Sequence, residues 1–430
     1  MGGHQSPLRS RKIINHSRHH RDGPTSRTSE DRHQESRQIS FTSPPSLLTS
    51  RTSPEVRRLR GGLDCWESRR SPISYFERIS ASELVEEERL PQYLATRCYP
   101  VRIGELFASR YQVVGKLGFG ATSTVWLARD LMDCRHVALK IFIHSGSLGE
   151  PRELTACERL ARGPKSHLGR QAVRTVLNTF AISGPDGEHH CLVHPSLWDS
   201  VKTFLARNQI GRLPIPVLAI VLQQVFCALD YARECRVIHT DINAGNIMFG
   251  IKDGIAAFEK FEQAELERPS PRKEIDGRFI YLSRQLDQPR ELDLPVLGDF
   301  GEARCGEQRH TQDVQPDKYR SPEIWDMFEG GSLFSGFDPE HGTYRGRAHL
   351  AEMIALMGPP PPSFVAQGEF QAGIEVPPPV SLEQLETNLE GTDKELFLHF
   401  MSKMLQWKPQ DRQTPKQLLD DPWLKKHTSG

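Results

Sequence analysis

Three side chains in the second half of the chain have the types and spacing that phosphoryl transfer requires. Asp241 and Asn246 lie in residues 239–246, HTDINAGN, which match the pattern H-R-D-L-x-x-x-x-N. Asp299 lies in residues 298–301, GDFG, which contain the D-F-G pattern. In such a site Asp241 accepts the proton of the attacking hydroxyl group, and Asn246 and Asp299 bind Mg²⁺. The spacing places Asp241 and Asn246 in one catalytic loop.

A lysine in an apolar segment supplies the cation that a polyphosphate needs. Lys140 ends residues 137–140, VALK, which match V-A-I-K on the third predicted strand. A lysine on an apolar strand needs an anionic partner, and Glu153, at the start of the next predicted helix, is the best candidate. This ion pair would hold Lys140 on the α- and β-phosphates. Taken alone, Lys140 fits equally a surface lysine whose amine reaches solvent.

A glycine-rich loop precedes these motifs in residues 117–125, LGFGATSTV, between two predicted strands. Glycines allow backbone N–H groups to approach phosphates closely, so we predict Gly118, Gly120 and Ser123 as nucleotide-binding residues. Ser123 replaces the third glycine of G-x-G-x-x-G. The strand after the loop excludes a Rossmann or P-loop site, since both need a helix there. Alone, the loop is equally typical of a plain hairpin turn; the ordered set of four motifs favours phosphate binding.

The pattern of apolar residues around the motifs predicts two lobes. Alternating, β-branched segments predict strands at residues 111–116, 124–129, 136–142, 174–182 and 191–194. Apolar residues at helical spacing predict helices at residues 152–160, 216–232, 347–356, 396–405 and 415–419. The expected fold is therefore α+β and bilobal, with a small β-rich N-lobe, a larger helical C-lobe and a cleft between them.

Charge and composition separate a tail from the body of this 430-residue chain. Residues 1–72 carry 14 Lys+Arg against 7 Asp+Glu, and the rest carries 41 against 48. The tail is rich in Ser and Arg and poor in aromatic residues, so it is predicted to be disordered. It fits either a solvated basic linker or a segment that mimics a substrate. We assign residues 73–110 to a lead-in segment, 111–197 to the N-lobe and 198–425 to the C-lobe.

The cysteines, the apolar stretches and the charge of the body predict the cellular compartment and the kinds of partner. The eight cysteines form no CxxC pair and no zinc-like array, which is typical of reduced thiols in an intracellular protein. The longest apolar stretch, residues 213–229, is interrupted by proline and glutamine, so no membrane span is expected. An acidic body argues against direct nucleic-acid binding. The expected compartment is the cytoplasm, the nucleus or both.

Several fragments resemble one family, the SR-protein kinases, which are protein kinases that phosphorylate Ser in Arg-Ser repeats. The fragments, which look like the fungal branch, are YPVRIGE at 99–105, STVWLA at 123–128, HTDI at 239–242, DVQPDKYR at 313–320 and RAHLAEM at 347–353. Thr240, where other kinases have Arg, is a further marker. The resemblance covers about residues 83–425. It implies an ATP- and Mg²⁺-dependent serine/threonine kinase, monomeric, with Arg-Ser-rich protein substrates.

The resemblance also implies the remaining site residues. The adenine would lie against the segment between the lobes, including Pro195 and Leu197, and would be roofed by Leu117, Val125 and Ala138. His194 falls near the gatekeeper position and is interpreted as a packed residue. Residues 319–323, YRSPE, would end the activation loop as A-P-E does, with Arg412 pairing with Glu323.

Two departures from the family leave a second function open. Asn243 stands where the family has a lysine that contacts the transferred phosphate. Glu323 runs directly into residues 324–330, IWDMFEG, which resemble only the end of a long family helix, so the C-lobe is expected to be shortened there. The alternative is a pseudokinase or nucleotide-binding scaffold with little or no phosphotransfer. A kinase of small molecules is a third hypothesis, against which the YRSPE segment and the Arg412 motif argue.

Overall fold

The computed structural model describes residues 66–69, 75–144, 151–207, 211–252, 254–306, 323–365 and 375–429. All of them belong to one compact unit, Ile39–Gly430. The predicted tail lies almost entirely outside the described residues, and so does the 313–320 fragment.

A six-stranded antiparallel sheet forms the N-lobe. Its strands are β1 (Leu106–Phe107), β2 (Tyr111–Phe119), β3 (Ser123–Asp130), β4 (Arg135–Phe142), β5 (Asn178–Gly184) and β6 (Gly187–Pro195), in the spatial order β1-β2-β3-β4-β6-β5. The register places Lys140 opposite both Val125 and Leu192. The predicted strands are present, although β5 begins at Asn178 rather than at residue 174.

Both faces of this sheet are covered, which explains why its strands are apolar on both sides. Because side chains alternate along a strand, Lys140 and Phe142 lie on the inner face, where helix α1 (Arg152–Arg162) packs through Leu154. Leu139 and Ile141 lie on the outer face, in a second buried cluster. This cluster also contains Val101 of the lead-in segment, Trp126, Val193 and Tyr281.

The C-lobe is built around one long apolar helix. After the short helix α2 (Val201–Arg207), helix α3 (Ile215–Glu234) runs through the lobe and buries Val221, Leu222 and Phe226. Its length and composition would suffice to cross a bilayer, but most of the helix is buried against other elements. The other C-lobe elements are β7 (Val237–Ile238), β8 (Ile247–Ile251), β11 (Leu292–Leu297), β12 (Arg304–Cys305), α5 (Glu323–Glu329), β13 (Phe337–Asp338), β14 (Thr343–Tyr344), α6 (Gly346–Met357), α7 (Pro362–Val365), α8 (Leu382–Leu385), α9 (Gly391–Ser402), α10 (Pro415–Leu418) and α11 (Pro422–Thr428).

One segment between β8 and β11 leaves the C-lobe and covers the N-lobe. It comprises α4 (Gly254–Glu267), β9 (Arg272–Ile275) and β10 (Arg278–Tyr281), and we call residues 254–281 the bridging segment. The sequence analysis placed these residues in the C-lobe. The structure places Phe261 against β2, where a side chain at Gly115 would lie only 2.9 Å from the Phe261 ring. Tyr281 packs edge-on against Trp126, with ring centroids 5.5 Å apart.

The short helix α5, after the predicted break at Glu323, is well packed. Trp325, Met327 and Phe328 are buried in the C-lobe core. The ring of Phe328 lies 4.7 Å from that of Phe397, and the carbonyl of Met327 accepts a hydrogen bond from the Leu213 amide at 3.0 Å. Helix α5 therefore supplies apolar cover for α9 and for the start of α3.

Candidate active site

Lys140 pairs with two carboxylates at the inner face of the sheet. Its Nζ donates to Glu153 Oε2 at 2.6 Å and to Asp299 Oδ1 at 2.9 Å. Glu153 reaches Lys140 because it lies in the first turn of α1. Burial alone would raise the pKa of Asp299, but the adjacent Lys140 ammonium holds that pKa below its usual value. Burial would lower the pKa of Lys140, and Glu153 and Asp299 together raise it above its usual value. Lys140 and Asp299 are therefore both charged at neutral pH.

Two amides hold the carboxylate of Asp241. Asn246 Nδ2 donates to Asp241 Oδ2 at 2.8 Å, and Asn243 Nδ2 donates to Oδ1 at 3.1 Å. Asn243 Oδ1 in turn accepts a hydrogen bond from the Gly245 amide at 2.8 Å. Asn243 therefore fixes the orientation of Asp241 and carries no positive charge. The sequence analysis identified the missing charge but not this positioning contact.

His239 connects the catalytic loop to the loop that carries Asp299. Its Nε2 donates to the carbonyl of Gly298 at 2.9 Å, and its Nδ1 accepts from the Asp241 amide at 3.2 Å. Burial lowers the pKa of His239, which keeps the ring neutral and suits this pair of bonds. The ring also packs on Phe300, with centroids 4.6 Å apart. His239 is thus a positioning residue for both loops.

Thr240 makes a second connection between the same two loops. Its backbone has φ of +67°, a conformation that costs energy for a β-branched residue. Its Oγ1 donates to the carbonyl of Glu302 at 2.7 Å. Asp299 also has a positive φ, +56°. Strained backbone on both sides of the cleft fits a site whose geometry the surrounding fold imposes.

The glycine-rich loop forms the turn between β2 and β3. A side chain added at Gly118 or Gly120 would meet nothing within 4 Å, so the loop backbone borders open space. The Gly120 amide donates to the Ser123 carbonyl at 2.8 Å and closes the turn. Ser123 begins β3 and pairs in register with Phe142. The space beside Gly118 and Gly120 suits the close approach of a phosphate.

The predicted wall for the base lies at the end of β6. Pro195 is the last residue of β6 and pairs with Val137, while Ala138 pairs with His194. Leu197 follows in the segment between the lobes, and Leu117 lies on β2. The placement of the base against these residues stays a prediction.

Two further residues at this wall escaped the sequence analysis. They are Arg174, whose Nη2 lies 3.5 Å from the Pro195 carbonyl, and Met248, whose sulfur lies 3.7 Å from Arg174 Nη1. The sequence signal that could have identified Arg174 is a charged residue within the apolar segment 172–177, AVRTVL.

The oxygen atoms near Asp241 suit Mg²⁺. Asn246 uses its amide nitrogen on Asp241, which leaves Oδ1 for a cation. Asp299 uses Oδ1 for Lys140 and for the Gly301 amide, which leaves Oδ2, and its side chain is 49% exposed. Carboxylate and amide oxygens are the ligands that Mg²⁺ prefers, so these two residues fit the predicted role.

The predicted close of the activation loop lies outside the described part of the chain. The structure does not describe residues 319–322 or the side chain of Glu323, so the pairing of Arg412 with Glu323 stays a prediction. Arg412 Nε donates to the carbonyl of Gln406 at 2.9 Å, and burial lowers the pKa of Arg412.

The fold and the cleft are those of a bilobal protein kinase. The crystal structure of a kinase domain superposes with a TM-score of 0.54 at 19% identity, covering 76% of this chain and 99% of that one. No protein-family model matches the chain. A serine/threonine protein kinase of Aspergillus fumigatus is 39% identical over 390 residues, covering 83% of this chain and 95% of the relative. The chain therefore belongs to the serine/threonine protein kinases.

Two other similar proteins carry more specific names. A serine/threonine-protein kinase SRPK of Physarum polycephalum is 28% identical, covering 79% of this chain and 91% of the relative. SRSF protein kinase 3 of Mus musculus is 33% identical over 193 residues, covering 43% of this chain and 34% of the relative.

Proposed function

We propose that this serine/threonine kinase transfers the γ-phosphate of ATP, with Mg²⁺, to Ser in Arg-Ser-rich proteins. The observation that carries the proposal is the Asp241 carboxylate, held by Asn243 and Asn246 on the loop that His239 ties to Asp299. The substrate class is supported by the names of the Physarum and mouse relatives. The acidic excess outside residues 1–72 also favours a basic substrate.

In this mechanism the chain's own groups position and neutralise the reactants. Asp241 accepts the proton of the substrate hydroxyl and aligns its oxygen, and Asn243 and Asn246 prevent the carboxylate from turning away. Lys140, held by Glu153, contributes positive charge at the phosphates. Asn246 and Asp299 would hold the cation, which when bound would neutralise charge that develops on the phosphoryl oxygens. Because phosphoryl transfer needs little covalent chemistry, this positioning supplies most of the catalysis.

The pseudokinase alternative depended on Asn243 and on the short segment after Glu323. Asn243 has a positioning role that is compatible with turnover. Helix α5 buries Trp325, Met327 and Phe328, so the C-lobe core has cover there. We propose that α5 corresponds to the end of a longer family helix and that the shortened lobe still supports catalysis. We also propose a monomer that acts in the cytoplasm or nucleus without direct nucleic-acid or membrane binding.

The experiment is transfer of labelled γ-phosphate from Mg·ATP to an Arg-Ser repeat peptide, with a Lys-Ser repeat as the matched peptide. We expect Asp241→Asn to lower the rate by about 10²- to 10⁴-fold, because the hydroxyl loses its proton acceptor. Wild type should transfer phosphate faster to the Arg-Ser peptide than to the Lys-Ser peptide. Equal rates in wild type and Asp241→Asn would refute the mechanism. No transfer by folded wild type that binds nucleotide would support the pseudokinase alternative.

A further inference from the structure

Arg174 lies beside Pro195, where the base is predicted to bind. Its backbone amide is anchored to the carbonyl of Leu297 on β11 at 2.8 Å. Its guanidinium lies between the carbonyl of Pro195 at the end of β6 and the sulfur of Met248 on β8. Pro195 belongs to the predicted base wall, and Met248 follows Asn246 by two residues. The guanidinium therefore connects the end of β6 in the N-lobe with β8 in the C-lobe.

The protein satisfies this guanidinium poorly. Its contact with the Pro195 carbonyl is long at 3.5 Å, its other contact is with the weak sulfur acceptor of Met248 at 3.7 Å, and its buried Nε has no hydrogen-bond partner. Among the described residues, no carboxylate forms an ion pair with Arg174, although Glu153 and Asp299 act on its charge from farther away. An arginine stays charged, and a buried charge without close partners is costly. The free donors therefore suit a ligand that brings an acceptor.

The residue before Asp299 leaves room for the arginine stem. A side chain added at Gly298 would lie 3.2 Å from Arg174 Cδ and 3.5 Å from Arg174 Cβ. Gly298 is not among the residues with positive φ, so its backbone does not itself require glycine. The glycine and the arginine are therefore sterically matched.

We propose that Arg174 determines base specificity and makes the nucleotide site favour a purine triphosphate with a carbonyl group at position 6, such as an inosine or guanosine nucleotide. The proposal rests on the function proposed above, which places the base at Pro195–Leu197. A guanidinium offers only N–H donors. A carbonyl oxygen at position 6 of the base can accept a hydrogen bond from the guanidinium. The 6-amino group of adenine is itself a donor, so it cannot accept one. The Arg174 guanidinium also donates to the Pro195 carbonyl, the acceptor to which an adenine amino group would donate.

Removing Arg174 should reverse the preference. The carbonyl of Pro195 would then be free of the guanidinium. His194 adds a second acceptor, because its Nδ1 bonds to the Thr175 carbonyl at 2.9 Å and its buried Nε2 has no partner. Two acceptors and no cation suit the amino group of adenine.

The test measures the dissociation constants of Mg·ATP and Mg·ITP for the full chain by isothermal titration calorimetry. Both ligands carry the same ribose and triphosphate, so the ratio of their dissociation constants isolates the N1–C6 edge of the base and does not depend on the fraction of folded protein. We expect wild type to bind ITP about tenfold more tightly than ATP, from the usual strength of a hydrogen bond to a charged group. Arg174→Val should reverse the order. Gly298→Ala, which displaces the arginine stem, should move the ratio the same way.

The matched control is Arg162→Val, which removes an exposed arginine at the end of α1 and should leave the ratio unchanged. Tighter or equal binding of ATP by wild type would overturn the proposal and leave the kinase function standing. Binding of neither nucleotide would overturn both. Because the wild-type ratio is itself decisive, a variant that fails to fold does not prevent the test.

Discussion

Two buried lysines on the N-lobe sheet make similar contacts on opposite faces. Lys140 on β4 pairs with Glu153 and Asp299 on the inner face. Lys116 on β2 pairs with Glu86 and Glu87 of the lead-in segment on the outer face and donates to the carbonyl of Tyr281 at 3.0 Å. Each lysine thus has two acidic partners and almost no exposed surface.

The solvent exposure of the acidic partners distinguishes the role of Lys140 from that of Lys116. Asp299 is 49% exposed and faces the cleft, so a ligand can reach one member of the Lys140 cluster. Lys116 is fully buried, and Glu87 is only 10% exposed. A buried, doubly paired lysine therefore does not by itself mark an active site. The accessible carboxylate does, because an ion pair closed to solvent can only hold elements together.

The largest effect should come from Lys140→Met. We expect phosphate transfer to fall by about 10²- to 10⁴-fold, since the phosphates lose their cation. The protein should stay folded, because Asp299 can reach solvent. Rate measurements on protein with a wild-type circular dichroism spectrum test this, and an active Lys140→Met variant would contradict the role of Lys140.

Lys116→Met is the matched change on the outer face and should affect stability rather than chemistry. Leaving Glu86 and Glu87 without their cation should cost about 3–5 kcal/mol of unfolding free energy. Urea denaturation measures this, and activity per folded molecule should stay near wild type. Adding Glu87→Gln should recover part of the loss. If Lys116→Met abolished transfer at full stability, the distinction between the two faces would be wrong.

A smaller and pH-dependent effect is expected from Glu262→Gln. On the bridging segment, Glu262 pairs with His136 at 3.2 Å and with Arg69 at 2.8 Å, and Arg129 lies 3.8 Å away. Burial alone would raise the pKa of Glu262, but the His136 contact and the two arginines hold it below its usual value. The carboxylate therefore stabilises the fold above the usual glutamate pKa, and this stability is lost as pH falls through the lowered pKa.

The measurement for Glu262→Gln is thermal unfolding against pH. At pH 7 the variant should be less stable by about 1–3 kcal/mol, as for a lost charged hydrogen bond. The difference from wild type should shrink below the usual glutamate pKa, about pH 4.3. A difference that is constant with pH would mean that the ionised form of Glu262 contributes nothing to stability.

The sequence drew attention to the polar side chains that the structure brings together in the cleft, because each of them lies in a short local pattern. Lys140, Asp241, Asn246 and Asp299 could be identified from neighbours a few residues away. Lys116 could not, because its partners come from residues 86–87 and 281, which only the folded chain brings together.

The same limit explains why the N-lobe contacts of the bridging segment and the position of Arg174 were not foreseen. Residues 254–281 carry no local indication that they pack on the N-lobe rather than on the C-lobe that precedes and follows them. Arg174 is recognisable as an arginine in an apolar run, but its closeness to Pro195 depends on how β6 and β8 meet.

The bridging segment also sets the order in which this protein can be completed during synthesis. The strands of the N-lobe sheet end at Pro195, but Tyr281 covers their outer face and Phe261 packs on β2 from the inner face, and the ribosome adds both residues much later. Until residue 281 has emerged, Trp126 lacks the Tyr281 ring and Lys116 lacks the Tyr281 carbonyl, so part of the apolar outer face of the sheet stays uncovered. A nascent chain truncated after Pro195 should therefore aggregate or bind chaperones rather than fold as an independent domain.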